Sequence, residues 1–396
     1  MINRENYLAD LIRVKDKNII KVVTGIRRCG KSTLFELYED YLKSEGIEEN
    51  RIISVNLEEA DYRELKTPES LYDYINEKIV DDKTHYVFID EVQQIVEFQK
   101  AVDWLYVKKN VDLYITGSNA YLLSGEIATL LSGRYVEIKM LPLSFKEYVS
   151  AFPDNKNNSE MYMNYLVNSS FPGTLELDSK KDIRVYLEGI YNTIVLKDIV
   201  TRKKISDTAQ LQSVIEYMFD NIGNLCSATK IANTMTSGGR KISVPTVENY
   251  LTALTESFVL YKAGRYDVKG KQRLVTGAKY YLADVGLRYY LLGSKQTDFG
   301  HILENIVYLE LIRRGYEVFV GKIGTAEIDF IAINDEGKEY YQVSQSVLDE
   351  NTLKRELSAL EEIKDHNPKY LLTMDYVPLV SHNGIKQINV IDWLLK

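Results

Sequence analysis

The stretch from Val22 to Thr33, reading Val-Val-Thr-Gly-Ile-Arg-Arg-Cys-Gly-Lys-Ser-Thr, constrains this chain more than any other. It fits the pattern G-x-x-x-x-G-K-[ST]. The β-branched run Ile19, Ile20, Val22 and Val23 precedes it, and Leu34, Phe35, Leu37, Tyr38, Tyr41 and Leu42 follow at helical spacing. Strand, loop and helix in that order bring backbone N–H groups and the positive end of a helix dipole around one anion. The pattern gives Gly25 and Gly30 the tight turn, Lys31 the β- and γ-phosphates, and the Ser32 hydroxyl Mg²⁺. Ile26, Arg27, Arg28, Cys29 and Thr33 complete the phosphate-binding loop. ATP with Mg²⁺ is the expected ligand.

A chain of 396 residues has room for two or three domains. Its 49 lysines and arginines against 57 acids leave a formal charge of −8, so no field of the whole molecule draws in nucleic acid. Any such contact has to be a local basic patch. No apolar run approaches the ~20 residues of a membrane span, and Met1-Ile2-Asn3-Arg4-Glu5 does not read as a signal peptide, so a cytoplasmic location is expected. Cys29 and Cys226 form no metal or redox spacing, which fits a reducing compartment.

The run His85-Tyr86-Val87-Phe88-Ile89-Asp90-Glu91 reads as a buried strand ending in two carboxylates, the Walker B pattern. Asp90 is the candidate metal ligand, and Glu91 the candidate base for the water that attacks the γ-phosphate. A further strand, Leu113 to Gly117, ends in Ser118 and Asn119, which suit a γ-phosphate sensor and a helix N-cap equally well. A helix carrying Leu122, Leu123, Leu130 and Leu131 leads to Ser132-Gly133-Arg134 and a strand from Tyr135 to Met140. Arg134 could reach a phosphate of its own subunit or of a neighbour, or simply be a solvated residue at a strand start.

Taken together, Val23 to Ser32, Phe88-Ile89-Asp90-Glu91-Val92-Gln93, Ile115 to Asn119, Gly133-Arg134 and Leu141-Pro142-Leu143-Ser144-Phe145-Lys146-Glu147 resemble the bacterial and archaeal family of predicted AAA+ ATPases. The resemblance runs nearly end to end. It implies an α/β fold, with a P-loop NTPase parallel sheet and helices on both faces, then a winged helix-turn-helix and a small α/β restriction-endonuclease-like domain. Lys31, Ser32, Asp90 and Glu91 become its working residues, and hydrolysis of ATP to ADP and phosphate its activity. The expected domains are a P-loop core over 1–150, a helical extension over 151–206, a winged helix over 207–294 and the endonuclease-like domain over 295–396.

Within 207–294, helical patterns at Leu211–Met218, Ala228–Met235 and Thr246–Leu254 precede a hairpin framed by Phe258–Ala263 and Lys279–Leu282. The third helix, where a reader of bases would sit, has no Lys or Arg. The wing holds Arg265, Lys269, Lys271 and Arg273, a ribbon able to grip a DNA backbone without sequence preference. The alternative is a domain that covers the nucleotide site or relays its state. In the last domain Asp329 and the helix glutamate Glu304 match an endonuclease metal site. Gln342 and Ser344, however, replace the acidic residue and lysine of the next strand, so a packing or partner-binding remnant is expected rather than a nuclease.

Overall fold

Parallel strands covered on both faces read as continuous apolar runs, and Tyr86–Ile89 and Leu113–Ile115 are such runs. The structure is a computed structural model that describes residues 2–123, 131, 133–293, 299–378 and 380–396. Contacts divide it into two compact units, Met1–Pro142 with Glu256–Phe258, and Leu143–Thr255 with Val259–Lys396.

In the first unit, helix α1 (Glu5–Arg13) leads to strand β1 (Ile20–Thr24) and helix α2 (Lys31–Ser44). Then follow β2 (Ile52–Asn56), α3 (Pro68–Lys78), β3 (His85–Asp90), α4 (Gln99–Tyr106), β4 (Val111–Gly117) and β5 (Tyr135–Lys139). The sheet has the order β2-β3-β4-β1-β5, and every pairing is parallel. This is the mixed α/β architecture of a P-loop NTPase, with β4 inserted between the strands that carry the two motifs.

Alternation along the strands sorts the packing. Val87 and Ile89 join Val22, Leu113 and Ile115 in one apolar cluster under Leu71 and Ile75 of α3 and Ala101, Val102 and Leu105 of α4. Phe88, between them, packs with Tyr114 against Phe35 and Tyr38 of α2. Thr67 starts α3 with a capping box to Ser70, and Pro68 occupies its first turn. The helix read from Leu122 to Leu131 shows a 3₁₀ turn at Ala120–Leu123; Leu130 and Ser132 lie outside the described residues.

The second unit opens with helices α5 (Phe145–Ser150), α6 (Asn158–Asn168) and α7 (Lys180–Asn192). The helix expected to run from Ile183 to Val200 ends its α form at Asn192 and continues as a π-helix over Thr193–Thr201. The Thr201 hydroxyl there donates to the Leu196 carbonyl five residues back, at 2.9 Å. Helices α8 (Thr208–Asp220), α9 (Ala228–Ser237) and α10 (Val244–Glu256) precede the antiparallel hairpin β6 (Leu260–Asp267) and β7 (Gln272–Leu282). Helices α11 (Val285–Leu292) and α12 (Phe299–Arg313) lead to β8 (Glu317–Ile323), β9 (Ala326–Asn334) and β10 (Gly337–Ser344). Helix α13 (Glu350–Glu361), strands β11 (Lys369–Thr373), β12 (Val380–His382) and β13 (Ile385–Asn389), and helix α14 (Val390–Leu394) complete the chain. The hairpin is not free-standing. It joins an eight-stranded sheet of order β12-β13-β11-β10-β9-β8-β6-β7, through parallel pairing of Arg265–Asp267 with Val320–Lys322. Among the described residues, no helix is long and apolar enough to cross a membrane.

One charge inside the first unit depends wholly on its partners. Lys21 on β1 has no exposed surface, and its ammonium pairs with Asp112 of β4 and donates to the Lys17 carbonyl at 2.7 Å. Asp112 also accepts from the Asp16 N–H and the Tyr114 hydroxyl. Asp112→Ala would leave a buried ammonium without its counter-charge and is expected to lower stability by about 3–5 kcal/mol, read from urea unfolding. Lys21→Met combined with Asp112→Leu should recover most of that loss.

Candidate functional site

Parallel order brings the carboxyl ends of β1, β3 and β4 to one edge of the sheet, and the two motifs meet there. Gly25 follows β1 with no room for a side chain: a Cβ would press into the Met140 carbonyl oxygen. Gly30, at φ 101°, lies in the left-handed region that favours glycine and starts α2. Between them Ile26, Arg27 and Cys29 are buried, while Arg28 is exposed at φ 66°. Arg27 is paired with Glu58 at 2.7 Å. The Cys29 thiol lies 3.6 Å from the Met140 carbonyl.

Lys31 is buried, with its ammonium 3.3 and 3.4 Å from the carbonyl oxygens of Gly25 and Ile26 and 3.2 Å from Glu91 Oε1. Ser32, on the next residue of α2, donates to Asp90 Oδ2 at 2.5 Å. The other Asp90 oxygen accepts from the Thr116 hydroxyl, and Thr116 Oγ1 in turn accepts the Glu91 N–H at 2.9 Å. Glu91 sits at φ 52°, a left-handed conformation uncommon outside glycine and costly for a glutamate. Its Oε2 accepts from Gln93 Nε2, which also reaches the Ser118 hydroxyl at 3.2 Å.

Electrostatics separate the two carboxylates. Burial pushes the Asp90 carboxyl up, and the Ser32 and Thr116 hydrogen bonds only partly oppose it. Burial pushes Glu91 the same way, but the charges of Lys31 and Arg27, with the hydrogen bonds of Ser118 and Gln93, outweigh it and hold the group below the ordinary glutamate range. Burial lowers Lys31, and Glu91, followed by Cys29 and Asp90, more than restores it, so its ammonium is charged.

Asn119 and Arg134 differ in where they lie: Asn119 follows β4 at the same edge of the sheet. Asn119 Oδ1 accepts the Leu122 N–H at 3.2 Å, which is the capping role weighed against a sensor. Arg134 is not brought to the loop. Parallel register from Ile20↔Tyr135 to Thr24↔Lys139 puts it at the amino-terminal edge of the sheet, about 20 Å of strand from Gly25. There it pairs with Asp103 and lies over the Tyr106 ring, its side chain 45% exposed. An approach to the phosphate site of its own subunit is therefore corrected to a strand-start ion pair.

Gln93, Arg4 and Thr116 carried no assigned role in the sequence. Arg4, 3% exposed, donates from Nη1 to the Cys29 carbonyl at 3.0 Å and from Nη2 to the Leu141 carbonyl at 2.5 Å, bracing the loop from the N-terminal segment. No local pattern marks it. Thr116 is marked only by register, because Ile89 pairs with Ile115 and so Asp90 adjoins Thr116.

In the second unit Asp329 accepts the Val343 N–H at 2.8 Å, and Gln342 takes the Asp329 N–H and donates to Glu356 at 2.9 Å. Of the basic hairpin residues, Arg273 is paired with Glu317 at 2.7 Å and Lys269 with Glu362 at 3.5 Å. Lys271 is exposed, and Arg265 is half-buried on β6.

Gly25→Ala is expected to keep the far-ultraviolet circular dichroism of the chain and to weaken ATP binding about tenfold or more, read by calorimetric titration. The added methyl group forces the loop away from Met140.

Known proteins resemble this chain in sequence or in fold. An AAA domain family model matches residues 17–149, and a domain of unknown function matches residues 159–298. An uncharacterized protein of Haemophilus influenzae is 44% identical over 400 residues, covering 100% of this chain and 99% of that one. The uncharacterized protein MJ1544 of Methanocaldococcus jannaschii is 32% identical over 403 residues, covering 95% of this chain and 85% of that one. Among solved structures, the Walker-type ATPase PABY2304 of Pyrococcus abyssi superposes with a TM-score of 0.51 at 16% identity, over 74% of this chain and 96% of that one.

Proposed function

We propose that this chain, which belongs to the family of AAA-domain P-loop proteins with those Haemophilus and Methanocaldococcus relatives, hydrolyses ATP to ADP and phosphate at the loop from Gly25 to Thr33. The observation that carries the reading is the joining of the two motifs: Lys31 to Glu91 at 3.2 Å and Ser32 to Asp90 at 2.5 Å. The loop N–H groups and the start of α2 receive the phosphates, and Lys31 exchanges its contact with Glu91 for the β- and γ-phosphate oxygens.

Ser32 and Asp90 offer a hydroxyl and a carboxylate within hydrogen-bond reach of each other, a pair of hard oxygens that fits Mg²⁺. When bound, Mg²⁺ would neutralise charge developing on the phosphate oxygens. The chain's own residues do the rest. Gln93 and Ser118 orient Glu91, and its carboxylate oxygen takes a proton from the attacking water. Once Lys31 turns to phosphate, the charge that depresses Glu91 is shared and its basicity rises, so the base is armed by substrate binding.

The remaining proposals concern the second unit. Helices α8, α9 and α10 followed by the β6–β7 hairpin support a winged-helix reading of 207–294, and the mixed sheet with α12 supports an endonuclease-like reading of 295–396. We assign 1–150 to the ATPase core and 151–206 to its helical extension, in a cytoplasmic protein whose nucleotide state governs the later domains. Arg265, Lys269, Lys271 and Arg273 would hold a DNA backbone. The ion pairs of Arg273 and Lys269 are exposed, and such pairs are readily given up.

Lys31→Ala is expected to abolish ATP binding in calorimetric titration. Glu91→Gln is expected to bind ATP while releasing phosphate about 100-fold more slowly or worse. Turnover by Glu91→Gln at the wild-type rate would remove the base assignment.

A further inference from the structure

An endonuclease-like reading of residues 295–396 implies a divalent cation held by Glu304, Asp329 and an acid-x-lysine pair on the following strand. The residues present do not fit one. Gln342 and Ser344 stand at that pair, and the Ser344 hydroxyl turns to the Ser346 carbonyl at 3.2 Å.

What gathers at the acidic groups is a lysine from another strand. Lys279 lies on β7, its side chain 5% exposed, with Nζ 2.8 Å from Glu327 Oε1, 3.2 Å from Glu304 Oε2 and 3.8 Å from Asp329 Oδ1. The three carboxylates come from α12 and β9, and Lys279 of the hairpin meets all of them. Tyr281 donates to Glu304 Oε2 at 3.3 Å, and His301 Nδ1 lies 3.7 Å from Glu304 Oε1, so the groups facing the ammonium are themselves held in place.

Carboxylates converging on one buried point need a counter-charge, and either a metal ion or an ammonium can supply it. A cation tethered to the same chain faces those oxygens at an effective concentration that a free ion has to exceed. We propose that the Lys279 ammonium takes the place of a divalent cation, so that Glu304, Glu327 and Asp329 form a metal-free clamp fastening the β6–β7 hairpin to the C-terminal sheet. The clamp stands apart from the reading of the nucleotide loop, and its test can succeed or fail on its own.

The test uses the full chain carrying Lys31→Ala, without nucleotide, titrated with Mn²⁺ and read by electron paramagnetic resonance of free Mn²⁺ and by thermal unfolding. With Lys279 present, no stoichiometric uptake and no thermal shift are expected up to about 1 mM Mn²⁺. Lys279→Ala, or Lys279→Met if the alanine variant fails to fold, is expected to take up one Mn²⁺ at least tenfold more tightly and to gain thermal stability with it. Adding Asp329→Asn should remove both effects. The proposal is overturned if the Lys279 protein takes up Mn²⁺ at a site that Asp329→Asn removes, an arm that needs no substitution at Lys279. It is equally overturned if a folded Lys279 variant takes up none.

Discussion

A carboxylate at the end of a buried strand must find donors inside the protein, and the first unit is arranged around how Asp90 finds them. Its side chain, 6% exposed, accepts one hydroxyl from the start of α2 and another from the end of β4. Those two donors belong to elements that follow β1 and flank β3, so satisfying one acid fixes where three strand ends stop relative to one another. The same Thr116 oxygen takes the Glu91 N–H and steadies a backbone that glutamate ordinarily avoids. Phosphate loop and acidic strand are in this sense one hydrogen-bonded object, and displacing any strand end by a residue would break it.

The parts of this arrangement that are written locally were legible. β3 carries an unbroken apolar run from Tyr86 to Ile89 because both faces of a parallel sheet are covered, and Thr67-Pro68 announces α3 through a cap that depends on adjacent residues only. That Lys31, Ser32, Asp90 and Glu91 come together was legible for a similar reason: the two motifs place them at a helix start and a strand end. Arg134 was not, because its distance from Gly25 depends on which end of β5 lies beside which end of β1, a fact of register. Arg4 was hidden more deeply. Its partners, the carbonyls of Cys29 and Leu141, are backbone atoms that any sequence would supply.

The second unit shows the same limit on a larger scale. Its helices and strands follow periodicity, yet the pairing of β6 with β8 joins segments separated by a strand and two helices, and no pattern within either strand specifies it. Gln342 and Ser344 are visible in the sequence, but that Lys279 meets Glu304 and Glu327 could be learned only by placing it, because it arrives from a strand outside the expected domain boundary at 295.

Cys29 lies inside the loop that receives phosphate, but it is fully enclosed and faces the Met140 carbonyl. Burial raises its thiol, outweighing the nearby charges of Lys31 and Arg4. Since peroxide and electrophiles react with exposed thiolates, this sulfur is a silent one. Enclosure of this kind keeps the sulfur of the loop out of reach of oxidants in solvent.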